Sequence, residues 1–271
     1  MKDYKGVLIT GASSGIGEAM AIQYARTHGD KVFLALTGRN VIRLQNVRDT
    51  CVSYGAKVEI GIFDVCETET LQKFVLRMVN DYDVDVIVAN AGVSEATLKR
   101  TTYEESWKDL FDVNVTGAMN TVTPAIPIFK KRGRGQLVVT ASLASFYLYT
   151  AYGASKAAVK RAFEALRVEL EPHGIEVNCI CPGLVDTRMA DAIMDGAVKQ
   201  TTLASLVPTV TSYVLTTSAQ ASEIIIDGLE RDVECICFPR HQYYLVALMS
   251  SLPERLQKLS WSLFGVNEKF E

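Results

Sequence analysis

Tyr152 and Lys156 stand four residues apart in Y-G-A-S-K. On a helix this spacing puts both on one face, within reach of a common ligand. A phenol titrates near ~10 in water, and an ammonium beside it favours the phenolate and brings the group towards working pH. Such a pair can move a proton at oxygen while hydride moves at carbon, as alcohol–carbonyl interconversion requires. Taken alone, Y-x-x-x-K equally describes a surface helix pair. Tyr147 and Tyr149 lack the lysine, because Ala151 and Gly153 follow them at the same spacing.

A second constellation lies near the start of the chain. T-G-A-S-S-G-I-G runs from Thr10 to Gly17 between an apolar run and a helical pattern. Gly11, Gly15 and Gly17 allow a tight turn and close backbone approach. The helix after it aims its N–H groups and positive dipole end at an anion such as a pyrophosphate. A glycine-rich loop is weak evidence by itself, but this one has the strand–turn–helix context that dinucleotide binding needs. An NAD site usually carries an acid about 20 residues further on, for the ribose 2′-OH. No Asp or Glu occurs in residues 31–48, whereas Arg39 follows the second apolar run. A guanidinium there suits a 2′-phosphate, so NADP(H) is expected over NAD(H). The bland alternative for Arg39 is a solvated loop charge.

These residues need a frame. Apolar runs at 6–10, 31–37, 57–64, 84–89, 135–140, 176–181 and 234–238 predict strands. Between them, 15–28, 41–54, 67–82, 103–132, 152–173 and 218–231 predict helices. The strand runs are apolar nearly throughout, as expected of a sheet covered on both faces. This alternation predicts an α/β fold: a doubly wound, seven-stranded parallel sheet of Rossmann type, in one domain over residues 1–271. Asn90, Ser142 and Pro182-Gly183 all follow predicted strands. They should meet at the carboxyl edge of the sheet, where ligands bind in such folds.

In these motifs the chain resembles the short-chain dehydrogenase/reductase family, in its compact single-domain form, across about residues 5–190. The resemblance assigns Gly11, Ser13, Ser14, Gly15, Ile16 and Gly17 to the cofactor turn, and Asp64 with Val65 to the adenine ring. Asn90-Ala91-Gly92 matches the family's N-A-G. Asn114 in V-N-V matches the asparagine that helps hold a proton-relay water. Ser142 resembles the serine that bonds the substrate oxygen, and Tyr152 the acid/base. Lys156 matches the lysine that binds the nicotinamide ribose. Pro182, Gly183, Val185 and Thr187 fall in the segment packed over the nicotinamide. One departure is the short stretch from Ser142 to Tyr152, with Ser145 as a rival to Ser142. The implied function is an NADP(H)-dependent oxidoreductase interconverting a carbonyl and a secondary alcohol. The alternatives are a catalytically inactive dinucleotide-binding scaffold, against which Asn114, Tyr152 and Lys156 stand intact, and a lyase or epimerase with a transient hydride carrier. NADPH consumption with a panel of ketones separates the three.

Composition narrows the partners. With 28 basic and 31 acidic residues, nothing points to nucleic acid. No secretory signal pattern or ~20-residue apolar run is present, so a cytoplasmic protein with reduced thiols is expected. Two C-x-C pairs, Cys179/Cys181 and Cys235/Cys237, lie in strand runs and read as small buried hydrophobes rather than metal ligands. Residues 187–217, with Met189, Ile193, Met194, Leu203, Leu206 and Val207, read as a partly apolar substrate lid suited to a lipophilic substrate. Residues 242–271 form a C-terminal helical extension with three readings: core or lid packing, a subunit interface, or a membrane-surface segment. A homodimer or homotetramer is expected from the resemblance alone.

Overall fold

Short runs of Val, Ile and Leu form seven strands: β1 (Gly6–Ile9), β2 (Phe33–Gly38), β3 (Lys57–Ile62), β4 (Val86–Ala89), β5 (Gly135–Thr140), β6 (Ile175–Pro182) and β7 (Cys235–Phe238). The structure, a computed structural model, describes residues 5–98, 102–147, 150–192, 215–253 and 255–257. Every strand pairing is parallel, in the order β3-β2-β1-β4-β5-β6-β7. This is the predicted doubly wound sheet. The order reverses between β1 and β4, which opens a crevice at their carboxyl ends.

Side-chain alternation splits the core in two. Val7, Ile9, Leu34, Leu36 and Val88 face one layer, with Met20 and Tyr24 of α1 (Gly15–His28) and Leu44 of α2 (Val41–Ser53). Ile225 and Leu229 of α10 (Ser218–Glu230) complete that layer. Leu8, Ile87, Leu137 and Val139 face the other, with Leu71 and Met78 of α3 (Thr68–Asp81). Val159 and Phe163 of α9 (Ala151–Leu170) join them.

Two departures from the sequence expectation bear on the site. The helix expected over 103–132 is broken into α5 (Tyr103–Phe111), a π-helical turn (Asp112–Gly117), α6 (Ala118–Val122), a 3₁₀ turn (Thr123–Ala125) and α7 (Ile126–Arg132). Pro124 and Pro127 cannot donate to the ladder and crowd the carbonyl four residues back, so the later break follows from residue type. The π turn carries Asn114, in keeping with the habit of π-bulges to sit at functional positions. Two one-turn helices also went unpredicted, α4 (Glu95–Leu98) and α8 (Ala144–Tyr147); at four residues each they leave no period to read. The tail, read from sequence as helical over 242–271, begins as α11 (Arg240–Ser251), and its Tyr243 ring meets Phe146 of α8 edge-on at 5.9 Å.

Part of the expected lid, residues 193–214, lies outside the described residues, as do Tyr149 and residues 258–271 of the tail. The two ends of the lid segment are joined by a bridge between Val185 and Thr216. Among the described residues, no helix is long and apolar enough to cross a membrane.

Candidate active site

A cleft of about 770 Å³ runs along the carboxyl edge of the sheet. It starts at the turn between β1 and α1. Gly11 has φ +66, and a Cβ there would stand 2.9 Å from the Ala91 Cα. The turn and the N-A-G segment therefore touch because neither side chain intervenes. Thr10 secures the contact: its hydroxyl accepts from the Asn90 and Ala91 N–H groups, each at 3.1 Å. Gly17 plays a packing part and does not line the cleft. A Cβ on it would come within 2.5 Å of the Asn90 amide nitrogen. Ser14, the N-cap of α1, makes no side-chain cap bond, unlike Asn40 at α2 and Thr150 at α9. The first N–H groups of α1 thus lack a side-chain cap at the cleft, where an anion can take them up.

Next along the cleft are Ser13, Arg39, Asp64 and Val65. Arg39 donates to Asp64 Oδ2 at 3.1 Å, with its side chain 67% exposed. No acid follows β2 in sequence, but β3 delivers one in space. Burial pushes the Asp64 carboxyl up. The Cys66 N–H and the Arg39 guanidinium more than offset this and hold it below the usual range. Exposed pairs are worth at most about 1 kcal/mol, so Arg39 is held only lightly. Two neighbours escaped the sequence reading. Arg43 lines the same end, and its Nε is buried with no partner; the Thr37 hydroxyl is likewise buried and unpartnered. Arg43 lies in the first turn of α2, four residues after Arg39, and its proximity in the chain could have flagged it.

At the other end Ser142, Tyr152 and Lys156 converge with Asn90, Ala91 and Gly92. α9 starts at Thr150, whose hydroxyl accepts from Gly153 N, so Tyr152 and Lys156 fall in its first two turns on one face. Lys156 is 3% exposed, and its ammonium donates to the Thr140 carbonyl at 2.7 Å. A Cβ on Gly92 would stand 3.1 Å from both Lys156 Nζ and Asn114 Oδ1, so a larger residue there would crowd both. Asn114 lies behind the cleft wall. Its amide donates to Val93 O and Ser155 Oγ and accepts from Val93 N. Ser142 Oγ accepts from Ala144 N at 3.1 Å and bonds the Tyr152 phenol. Ser145 instead caps the same turn through the Ser142 carbonyl and does not line the cleft.

The electrostatics correct one expectation. The phenol is not drawn down by the lysine. Burial pushes Tyr152 up to about 12, the Ser142 hydroxyl works against this, and Glu95 adds to it. Glu95, from α4, accepts the Tyr152 N–H at 2.8 Å, a contact with no local signal in the sequence. Burial takes Lys156 the other way, down to about 8. Its ammonium lies 5.8 Å from the Tyr152 ring centroid and is committed to Thr140. The phenol therefore keeps its proton at neutral pH.

Pro182, the last residue of β6, and Gly183, Val185 and Thr187 beyond it line the cleft. Gln242, Leu245 and Val246 of α11 add a further wall, from the tail for which core or lid packing was one of three readings. Gln242 accepts from Leu184 N at 3.3 Å.

The sequence profile described as short chain dehydrogenase matches residues 5–197. The chain belongs to that family. An uncharacterized oxidoreductase of Myxococcus xanthus is 38% identical over 190 residues, 69% of this chain and 74% of the other. A short-chain dehydrogenase from Sphingobium yanoikuyae, solved in complex with NADPH, superposes with a TM-score of 0.72 at 25% identity, covering 92% of this chain and 96% of its own. An alcohol dehydrogenase from the archaeon Thermococcus sibiricus, complexed with 5-hydroxy-NADP, gives 0.68 at 26% identity, with 86% and 94% covered. As a short-chain dehydrogenase, this chain is an oxidoreductase, and the cleft is where the family's motif residues collect.

Proposed function

We propose that this short-chain dehydrogenase is an NADP(H)-dependent reductase of ketones, with Tyr152 as proton donor. The observation that carries this reading is one cleft with two chemically distinct ends. At one end is the uncapped α1 turn with Arg39 and Arg43; at the other are Ser142, Tyr152 and Lys156.

The residues fit the dinucleotide. Thr37 Oγ1 and Arg43 Nε are buried without partners at the end where Arg39 projects, a donor set suited to a 2′-phosphate. Gly11, Ser13, Ser14, Gly15 and Ile16 would hold the pyrophosphate, Asp64 and Val65 the adenine, and Asn90 to Gly92 with Pro182 to Thr187 the nicotinamide half. When bound, NADPH would supply the hydride. The relatives solved with NADPH and 5-hydroxy-NADP support this choice. Ser142 would orient the substrate oxygen, Tyr152 would protonate it, and Lys156 would bind the ribose. Leu143, Leu184, Met189, Leu245 and Val246 make the neighbouring wall apolar, which favours a lipophilic substrate.

The test is NADPH oxidation across ketones of increasing chain length, with NADH in parallel. Turnover that rises with chain length and prefers NADPH supports the reading. Nucleotide binding without turnover on any carbonyl sinks it in favour of a scaffold. Two variants sharpen the assignment. Arg39→Ala combined with Arg43→Ala should weaken NADPH about 10- to 100-fold and leave NADH nearly unchanged, since a charge-assisted hydrogen bond carries ~1.5–3 kcal/mol. Equal losses for both nucleotides would remove the 2′-phosphate from this end. Ser142→Ala should cost about 100-fold in kcat, the weight of one donor to a developing oxyanion. Ser145→Ala should turn over near the wild-type rate; the reverse ranking would transfer the role.

A further inference from the structure

Four of the six cysteines stand in two neighbouring strands. Cys179 of β6 pairs with Cys235 of β7, and Cys181 with Cys237. Partners in a parallel ladder share a face, so all four thiols project towards the α9 side of the sheet. Cys179 turns to the Lys160 carbonyl at 3.8 Å. The other three converge. Cys235 Sγ lies 3.5 Å from both Cys181 Sγ and Cys237 Sγ, and the three sulfurs all lie within 4.8 Å of one another.

The sequence reading of these residues as small hydrophobes accounts for buried thiols but not for three sulfurs meeting at one point. A disulfide uses two and leaves the third idle. Two thiolates bound at ~2.3 Å to one tetrahedral ion stand ~3.8 Å apart, so the two 3.5 Å separations need adjustments of only a few tenths of an ångström, and the third lies within the 4.8 Å that bounds the group. We propose that Cys181, Cys235 and Cys237 form a three-thiolate site for a single thiophilic cation of the zinc or copper(I) class.

Thiolate sulfur selects such ions over hard, oxygen-seeking ones. Binding exchanges three S–H protons, released to solvent, for three sulfur–metal bonds. Three thiolates leave a surplus of negative charge around such an ion. The Lys160 ammonium, ion-paired with Glu164 and felt electrostatically at Cys235 and Cys237, offsets part of it. No His, Asp or Glu joins the group among the described residues, so a fourth position falls to water or an added ligand. The site is well placed to stiffen the cleft. It ties edge strand β7 to β6 one residue before Pro182, whose carbonyl accepts from Leu143 N at 2.9 Å and from the Ser142 hydroxyl.

The test uses the full-length protein, reduced, stripped with chelator and titrated anaerobically with Cd²⁺. The readout is the ultraviolet thiolate-to-cadmium charge-transfer band, with Zn²⁺ as competitor. The expected result is saturation at equimolar Cd²⁺, suppressed by Zn²⁺. Cys235→Ser and Cys237→Ser should each lose the tight band, and Cys66→Ser, at an exposed position, should keep it. A second readout needs no variant: equimolar Zn²⁺ should protect Cys181, Cys235 and Cys237 from alkylation, as mapped by mass spectrometry. Absence of the band in wild type, or unchanged alkylation of these three residues with Zn²⁺, overturns the site. Two of the three thiols lost to a mild disulfide oxidant, with no cadmium band in the reduced protein, would replace it with a redox pair.

Discussion

Tyr152→Phe should abolish reduction while leaving the nucleotide site whole. Phenylalanine keeps the ring and its packing and removes the one proton aimed at the substrate end of the cleft. General acid catalysis is worth about 10²- to 10⁴-fold, and the neighbouring dissociable protons at that end belong to the Ser142 and Thr140 hydroxyls and to Lys156. An aliphatic hydroxyl is too weak an acid to replace the phenol, and the Lys156 ammonium is bound to the Thr140 carbonyl. kcat is therefore expected to fall by about 10³-fold, with the NADPH dissociation constant within about twofold of wild type. Stability should change little, because the variant loses one hydrogen bond to Ser142, worth about 1 kcal/mol, and sheds a buried hydroxyl. Stopped-flow turnover and fluorescence titration of NADPH check both halves. A variant that keeps more than a tenth of kcat would show that another group delivers the proton.

Lys156→Met should stabilise the nucleotide-free protein and inactivate it. Burial lowers the lysine from 10.5 to about 8, so the folded state carries this charge at a cost. The sign follows from proton counts. Below about pH 8 both states hold the proton and the full cost is present. From there to 10.5 the unfolded chain holds the proton and the folded one has lost it, so stability climbs with pH by about 3 kcal/mol. Methionine fills the same space without charge. It forfeits the bond to Thr140, about 1–2 kcal/mol, and should still gain on balance at pH 7. The difference in Tm between variant and wild type should shrink as pH rises through this window. NADPH affinity and turnover should drop together, because the ammonium is missing where the ribose would lie. A variant less stable than wild type at pH 7, with a pH-independent difference, would mean that the buried charge is compensated by its surroundings. Stability surrendered for function is the usual exchange at such sites.

Much of the frame was readable from residues near one another in the chain. Continuous Val, Ile and Leu runs announced the seven strands because a sheet covered on both faces needs apolar side chains on both. The glycines after β1 and the Tyr152–Lys156 spacing were equally legible. Turn geometry and helical facing depend on only a few consecutive residues. Pro124 and Pro127 were visible too, and the long helix expected over 103–132 overlooked them.

What the chain order could not convey was electrostatic and lateral. Asp64 reaches Arg39 only because β3 lies beside β2, and Glu95 reaches Tyr152 only across α4 and α9. Gln242 enters the cleft from the tail, and three cysteines meet because β6 and β7 align in one register. The direction of the Tyr152 shift had the same origin. Spacing predicted a phenol drawn down by its lysine, but the desolvation imposed by distant elements pushes it up, and the opposing pull comes from the Ser142 hydroxyl. Sequence alone thus established the strands, the turn and the Tyr152–Lys156 spacing, since each is a local pattern. Tertiary structure decided their charge states, their partners and the walls of the cleft, because burial and long-range neighbours exist only once the sheet has assembled.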